Sequence, residues 1–391
     1  MNRACIAPGI AAIVPEMVEL RRAIHAEPEL GFEEYSTRER VIERLRAWGY
    51  EIAEMAGTGV IATLRNGPGP VLGLRAELDA LPIHEQSGLP WSSRVPGKMH
   101  ACGHDGHTAM LLTAACELAR ERNWRGTLHL FFQPAEEGHG GSGAKRMLDE
   151  GLLQRFPCDA LFAMHNLPGL AEGRFMVMPG PCMASADDVT ILIHGRGGHG
   201  AMPEQTVDPI LAGAALVSAL QSLVSRNVPP SEAAVLTVGA FLAGDASNVI
   251  PDSAELRLSV RALSPQVREL LLRRIHELAQ QQAASFGARA EVLVKADGYP
   301  VLVNDPGCAG LVRELVLDWL GDEGLEPEPR PIHASEDFAF WLEQAPGCYL
   351  MIGNGDGEGG CAVHNPGYDF NDRILPLGAT FWVRLAQRFL A

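Results

Sequence analysis

Cys102, His104, Glu137, His165 and His364 offer one thiolate, three imidazoles and a carboxylate. That donor set suits zinc, manganese, cobalt or nickel far better than calcium or magnesium. The densest cluster reads His100-Ala-Cys102-Gly-His104-Asp105-Gly-His107, and Glu136-Glu137 follows some thirty residues later. If these five side chains hold two ions, coordination positions stay open for water and substrate, which marks a catalytic rather than a structural site.

Each residue also has a plainer reading. Cys102 could be a small buried hydrophobe or a nucleophile beside a histidine. Three histidines within eight residues exceed what packing needs, so the ligand reading leads. His107 could simply pack or cap the helix that begins there. An isolated Glu-Glu is ordinarily a solvated loop. After a buried strand, however, one carboxylate can face a metal and its neighbour the adjacent water, with their proton affinities driven apart. Asp79 in Arg75-Ala-Glu77-Leu-Asp79 could orient a ligating imidazole or cap the following turn. His199, on Gly195-Arg-Gly-Gly-His199-Gly, could reach a developing oxyanion, and Asn248 could meet a substrate carboxylate.

The elements that must position these groups alternate. Ser36-Thr-Arg-Glu39 reads as a capping box opening a helix that ends at Gly49. Apolar strands are expected at 60–64, 71–78, 127–133 and 159–164, with a helix over 105–122. Near-continuous apolar strands separated by helices indicate a mainly parallel sheet covered on both faces. Asp79, Glu136, Glu137 and His165 then fall just past strand ends, where open α/β sheets bind ligands. The middle segment gives strand 188–194, a helix opened by Asp208-Pro209, strands 234–241 and 253–261, helix 265–286 and strand 289–295. This β-α-β-β-α-β order is that of a ferredoxin-like unit. The expected division is therefore a catalytic domain over 1–185 and 298–391, interrupted by an inserted domain over 186–297.

A length of 391 residues favours two domains over one core. A net charge of -16 argues against nucleic acid, which needs clustered cations. Eight cysteines without disulfide-scaffold spacing suggest reduced thiols and a cytoplasmic protein. The apolar stretch Ala4–Val14 is broken by Pro8 and Gly9 and lacks a small-residue cleavage site, so no signal peptide is read there. No membrane span is expected either, because no run reaches the ~18 apolar residues required.

Taken with their flanking residues, these stretches resemble the di-metal aminoacylase, hippurate hydrolase and carboxypeptidase family of amidohydrolases, on the branch with a cysteine ligand. The resemblance runs from Arg21-Arg22-Ala-Ile-His25-Ala-Glu-Pro28-Glu29-Leu-Gly31-Phe-Glu33-Glu34 to Val363-His364-Asn365-Pro366-Gly367-Tyr368-Asp369-Phe370-Asn371-Asp372. Gln133-Pro-Ala-Glu136-Glu137, Ala163-Met-His165-Asn166, Gly198-His199-Gly-Ala-Met-Pro203 and Ser335-Glu336-Asp337-Phe338 lie between. It implies Cys102, His104, Glu137, His165 and His364 as ligands of two divalent ions, with Glu136 as general base and acid. It further implies hydrolysis of N-acyl amino acids, an inserted domain that acts as a lid and forms a homodimer or homotetramer, His199 serving the partner's site, and Asn248 touching substrate. The family's usual Arg-Ala-Asp-x-Asp carries Glu77 at its first acidic position here. A dipeptidase or carboxypeptidase of the same family, a thiol hydrolase using Cys102, and a non-catalytic binding protein are the competing readings.

Overall fold

The computed structural model describes residues 6–356 and 360–391. The chain forms two compact units, one of Met1–Gly180, Val303–Arg330 and Phe340–Ala391, the other of Pro181–Leu302 and Pro331–Ala339.

The first unit is built on a seven-stranded sheet with a parallel centre. Strand Val71–Glu77 lies between Gly126–Gln133 and Ala160–Pro168, parallel to both, and Ala160–Pro168 continues in parallel to Gly347–Gly355. Gly59–Asn66 and Glu51–Met55 on one side, and Phe175–Met176 on the other, close the sheet with antiparallel pairings. The central strands are buried almost throughout, as their unbroken apolar runs require. Helix His104–Arg120 is buried from His104 to Ala115. It packs between the sheet and the helices Pro8–Ala26 and Leu375–Phe389.

The second unit has the strand order Ala234–Leu242, Ser253–Ala262, Asp187–His194, Arg289–Val294, antiparallel throughout. Helices Pro209–Asn227 and Pro265–Ser285 complete β-α-β-β-α-β. Ser253–Ala262 alternates buried with more exposed positions, and Leu256, Leu258 and Val260 meet Leu216, Leu220, Leu271 and Ile275 in one core. Asp208 caps the first of these helices by accepting from the N–H groups of Ile210 and Leu211, with Pro209 in the first turn. By length and composition this helix is apolar enough to cross a membrane, yet its Ala212, Leu216, Leu220 and Leu223 belong to the unit's own core.

Several local expectations change. Ser36 does not cap a helix: the helix is Tyr35–Ala47, and the Glu29 carboxylate accepts from the N–H groups of Ser36 and Thr37. A carboxylate from outside the helix satisfies the exposed donors and complements the dipole as a capping serine would. The apolar stretch after Ala4 belongs, from Pro8 on, to a helix that buries Ile10, Met17, Leu20 and Ile24; Ala4 and Cys5 lie outside the described residues. Strand Ala160–Pro168 runs past His165 instead of ending at 164. Residues 331–339 join the second unit because the Ala184 N–H donates to the carbonyls of Ile332 and Ala334, and Ile332 donates back to Cys182.

Candidate metal centre

The donors collect at the carboxyl ends of the parallel strands, as open α/β sheets favour. Asp79 follows strand Val71–Glu77, Glu136 and Glu137 follow Gly126–Gln133, and His165 lies near the end of Ala160–Pro168. Cys102 precedes helix His104–Arg120 by one glycine. Gly103 has φ +98°, and a Cβ there would come within 2.1 Å of Asn166 Oδ1 and 2.6 Å of the Tyr368 hydroxyl. Only glycine lets the chain turn so tightly between the two donors. His364 arrives from far along the sequence: its N–H donates to the Ala101 carbonyl at 2.7 Å, seating its segment on the Cys102 loop.

Donor atoms of Cys102, His104 and His165 lie within 4.8 Å of one another, and so do those of Cys102, Glu137 and His364, and of His104, Glu136 and Glu137. Cys102 Sγ is 3.2 Å from His165 Nε2, and His364 Nε2 is 3.1 Å from Glu137 Oε1. His104 Nε2 and Glu137 Oε1 are buried, and apart from the approach of His364 Nε2 to Glu137 Oε1 neither has a hydrogen-bond partner among the described residues. Buried polar atoms rarely go unpaired. Orphaned nitrogen and oxygen atoms beside a thiol and two more imidazoles fit a divalent-cation receptor.

The electrostatics agree. Burial first, then the charges of Glu137 and Glu136, hold the Cys102 thiol well above its ordinary pKa. A nucleophilic cysteine needs electropositive surroundings that lower its pKa, so this site is wrong for a thiol hydrolase and right for a cation. Burial likewise pushes His165 well below the usual imidazole value, reinforced by the charge of His107. A neutral imidazole is the form that ligates metal.

Asp79 ties the donors together. Its backbone carbonyl and Oδ1 both face His104 Nδ1, at 2.9 and 3.2 Å, while Oδ2 accepts the Glu137 N–H at 3.0 Å. Burial raises the Asp79 carboxyl, but its bond to His104 and the N–H groups of Glu137 and Glu136 bring it below the usual range. The sequence alone leaves Glu77 and His107 without roles, and the structure joins them. Glu77 is buried, paired with Arg75, and bonded at 2.9 Å to His107 Nδ1. The other His107 nitrogen meets Asn166 Oδ1 at 2.7 Å, and the Asn166 amide donates to Tyr368. This polar layer underlies His165, whose ring centroid is 4.5 Å from that of His107. The longer Glu77 still reaches His107, so the departure from aspartate keeps the hydrogen bond to that ring.

His199 and Asn248 lie in the second unit. Their short strands pair, with His199 opposite Val249 and the Gly200 N–H donating to the Asn248 carbonyl, so the structure brings these two exposed residues together. His199 Nδ1 accepts from the Ala201 N–H, which leaves Nε2–H as its donor.

Residues 73–388 match the model of peptidase family M20/M25/M40. The chain belongs to this family. A hippurate hydrolase from Campylobacter jejuni is 42% identical, over 98% of this chain and 99% of the relative. An N-acetyl-L-cysteine deacetylase from Bacillus subtilis is 37% identical, over 97% of this chain and 90% of the relative. Among solved structures, a Bacillus subtilis protein described as a dinuclear metal-binding peptidase of the M20 family superposes with a TM-score of 0.84. It is 33% identical and covered to 99%, over 97% of this chain. This M20 chain is thus a divalent-metal-dependent amidohydrolase of α/β architecture.

Proposed function

We propose that this enzyme hydrolyses the amide bond of N-acyl amino acids, hippurate-like or N-acetylated, to a carboxylic acid and a free amino acid. The observation that carries the reading is the meeting of Cys102, His104, Glu137, His165 and His364 beside a second carboxylate, Glu136, in a chain 42% identical to a hippurate hydrolase over 98% of its length. Cys102 belongs to two donor groups, one with His104 and His165 and one with Glu137 and His364, and these residues would hold the ions. Held there, two divalent ions (manganese, zinc, cobalt or nickel) would polarise the amide carbonyl and acidify the attacking water. Glu136 accepts the water's proton on its carboxylate and delivers it to the leaving nitrogen. Asp79 fixes the tautomer of His104 and the direction of Glu137.

From the second unit, His199 donates Nε2–H to the substrate carbonyl oxygen, in its own chain or in a second copy, and Asn248 beside it binds the substrate carboxylate. That unit acts as lid and as the contact of a homodimer or homotetramer. A cytoplasmic location accords with seven free cysteines among the described residues.

Glu136→Gln tests the assignment. It should lower kcat on hippurate or an N-acetyl amino acid by at least about 10²-fold, the lower end for a general acid–base. Two equivalents of metal should remain bound. Wild-type turnover in that variant would end the proposed role, and a panel of N-benzoyl, N-acetyl and dipeptide substrates would rank the acyl preference.

A further inference from the structure

The turn that carries Glu136 and Glu137 is held by a carboxylate from a distant part of the sequence. Glu34 is fully buried where helix Tyr35–Ala47 begins. One of its oxygens accepts the Ala135 N–H at 2.9 Å and the other accepts the Thr58 hydroxyl. Ala135 has φ +48°, a left-handed conformation that a residue with a Cβ adopts only under constraint. The residue immediately after it is Glu136.

The rest of the turn is fixed by two backbone–backbone bonds and by the Asp79 carboxylate. The Leu78 N–H donates to the Gln133 carbonyl, the Gly143 N–H to the Ala135 carbonyl, and Asp79 receives the Glu137 N–H. Glu34 is the side chain that holds the left-handed residue itself. Its burial is unfavourable: desolvation and the charge of Asp79 raise its carboxyl to about 7, only partly offset by the hydrogen bonds of Thr58, its own N–H and Ala135. Retaining a buried acid at such a cost needs a structural return. The conformation of the turn supplies one.

We infer that Glu34 is a positioning residue: by holding the Ala135 N–H it keeps the turn in the left-handed conformation that aims the Glu136 carboxylate at the reacting amide and Glu137 at its cation. This rests on the roles of Glu136 and Glu137 given above. Glutamine can replace the contact, because its Oε1 still accepts the Ala135 N–H while its amide faces the Thr58 oxygen. Alanine cannot, and methionine fills the volume without an acceptor. Glycine at position 135 would adopt the same φ unaided.

The test measures kcat, KM, metal content and folded fraction for Glu34→Ala, Glu34→Met, Glu34→Gln, Ala135→Gly and the double variant Glu34→Ala/Ala135→Gly. Glu34→Ala should lower kcat of the folded, metal-loaded enzyme by roughly 10²-fold, the scale of an ångström of misplacement, with KM little changed. Glu34→Gln should recover most of that loss, and the double variant should lose less than Glu34→Ala does. If the alanine variant does not fold, Glu34→Met decides in its place. Full kcat in folded Glu34→Ala or Glu34→Met would overturn the inference, as would a glutamine variant no better than alanine, or a double variant no better than Glu34→Ala. Should Glu136→Gln be inactive while these variants turn over normally, only this inference fails. Turnover in Glu136→Gln instead removes the reading beneath it.

Discussion

Changing Asp79 to asparagine preserves the outline of the side chain and should nevertheless weaken metal binding. The carboxylate accepts from opposed donors, His104 Nδ1–H through Oδ1 and the Glu137 N–H through Oδ2, with the Glu136 N–H also facing it, in a position 1% exposed. An amide has one oxygen, so in Asp79→Asn one of these N–H groups must face an NH2. Hydrogen bonds to a charged acceptor are worth about 1.5–3 kcal/mol each, and a buried donor left unmatched costs about 1–3 kcal/mol. Part of the loss is cushioned, since the Asp79 backbone carbonyl still accepts from His104 at 2.9 Å and keeps its tautomer. The larger effect therefore falls on the backbone that aims Glu137. Loss of such an outer partner typically costs about 10–100-fold in metal affinity, or about 1.4–2.8 kcal/mol. Competition with a chromophoric chelator on reconstituted enzyme measures this directly, with circular dichroism as a control for folding. Metal affinity in Asp79→Asn within about threefold of wild type, well short of that range, would show that neither contact orients a ligand.

Two further expectations concern the scaffold. His25 is buried against Asp105, Glu85, Arg21 and His100, and although burial lowers its pKa, the charge of Asp105 and hydrogen bonds to Asp105 and Glu85 raise it to about 9. Folded protein then holds a proton that unfolded protein, with its imidazole at 6.5, has released. The stabilisation is full below about pH 6.5, is lost as pH rises through 9, and is worth about 3 kcal/mol. Urea denaturation at pH 6 and pH 10 should show that loss in wild type and a smaller one in His25→Gln; equal losses would refute the charged imidazole. Gly106→Ala should destabilise the fold by about 1–3 kcal/mol, because a Cβ there meets the buried Phe370 ring at 2.3–2.4 Å. An unshifted urea midpoint would mean that the ring has room to move.

Much of the centre was legible in the residue order because its cues are local. Apolar runs give the strands, and donors placed after them fall at the sheet's carboxyl edge whatever the rest of the chain does. Cys-Gly-His before a helix is likewise a short-range arrangement. Asp208-Pro209 announced its helix for the same reason: a cap acts on the N–H groups two and three residues ahead. Where the decisive contact is remote, sequence misled or fell silent. Ser36 has the spacing of a cap, but Glu29 takes those donors. Glu34 looks like one acid among several in Gly31-Phe-Glu-Glu34-Tyr, and only folding sets it against Ala135. Glu77 and His107 find each other across thirty residues, and Arg21 bridges from the first helix to Asp105, Asp369 and Asp372. The antiparallel edges of the sheet and the crossing of residues 331–339 into the second unit depend on which segments pair. The sequence determined which side chains could bind cations and which local elements would carry them, because donor chemistry, periodicity and capping act over a few residues. Tertiary structure alone decided that His364 rests on the loop of Cys102 and that buried carboxylates hold the donors in place, because those contacts exist only once distant segments share one core.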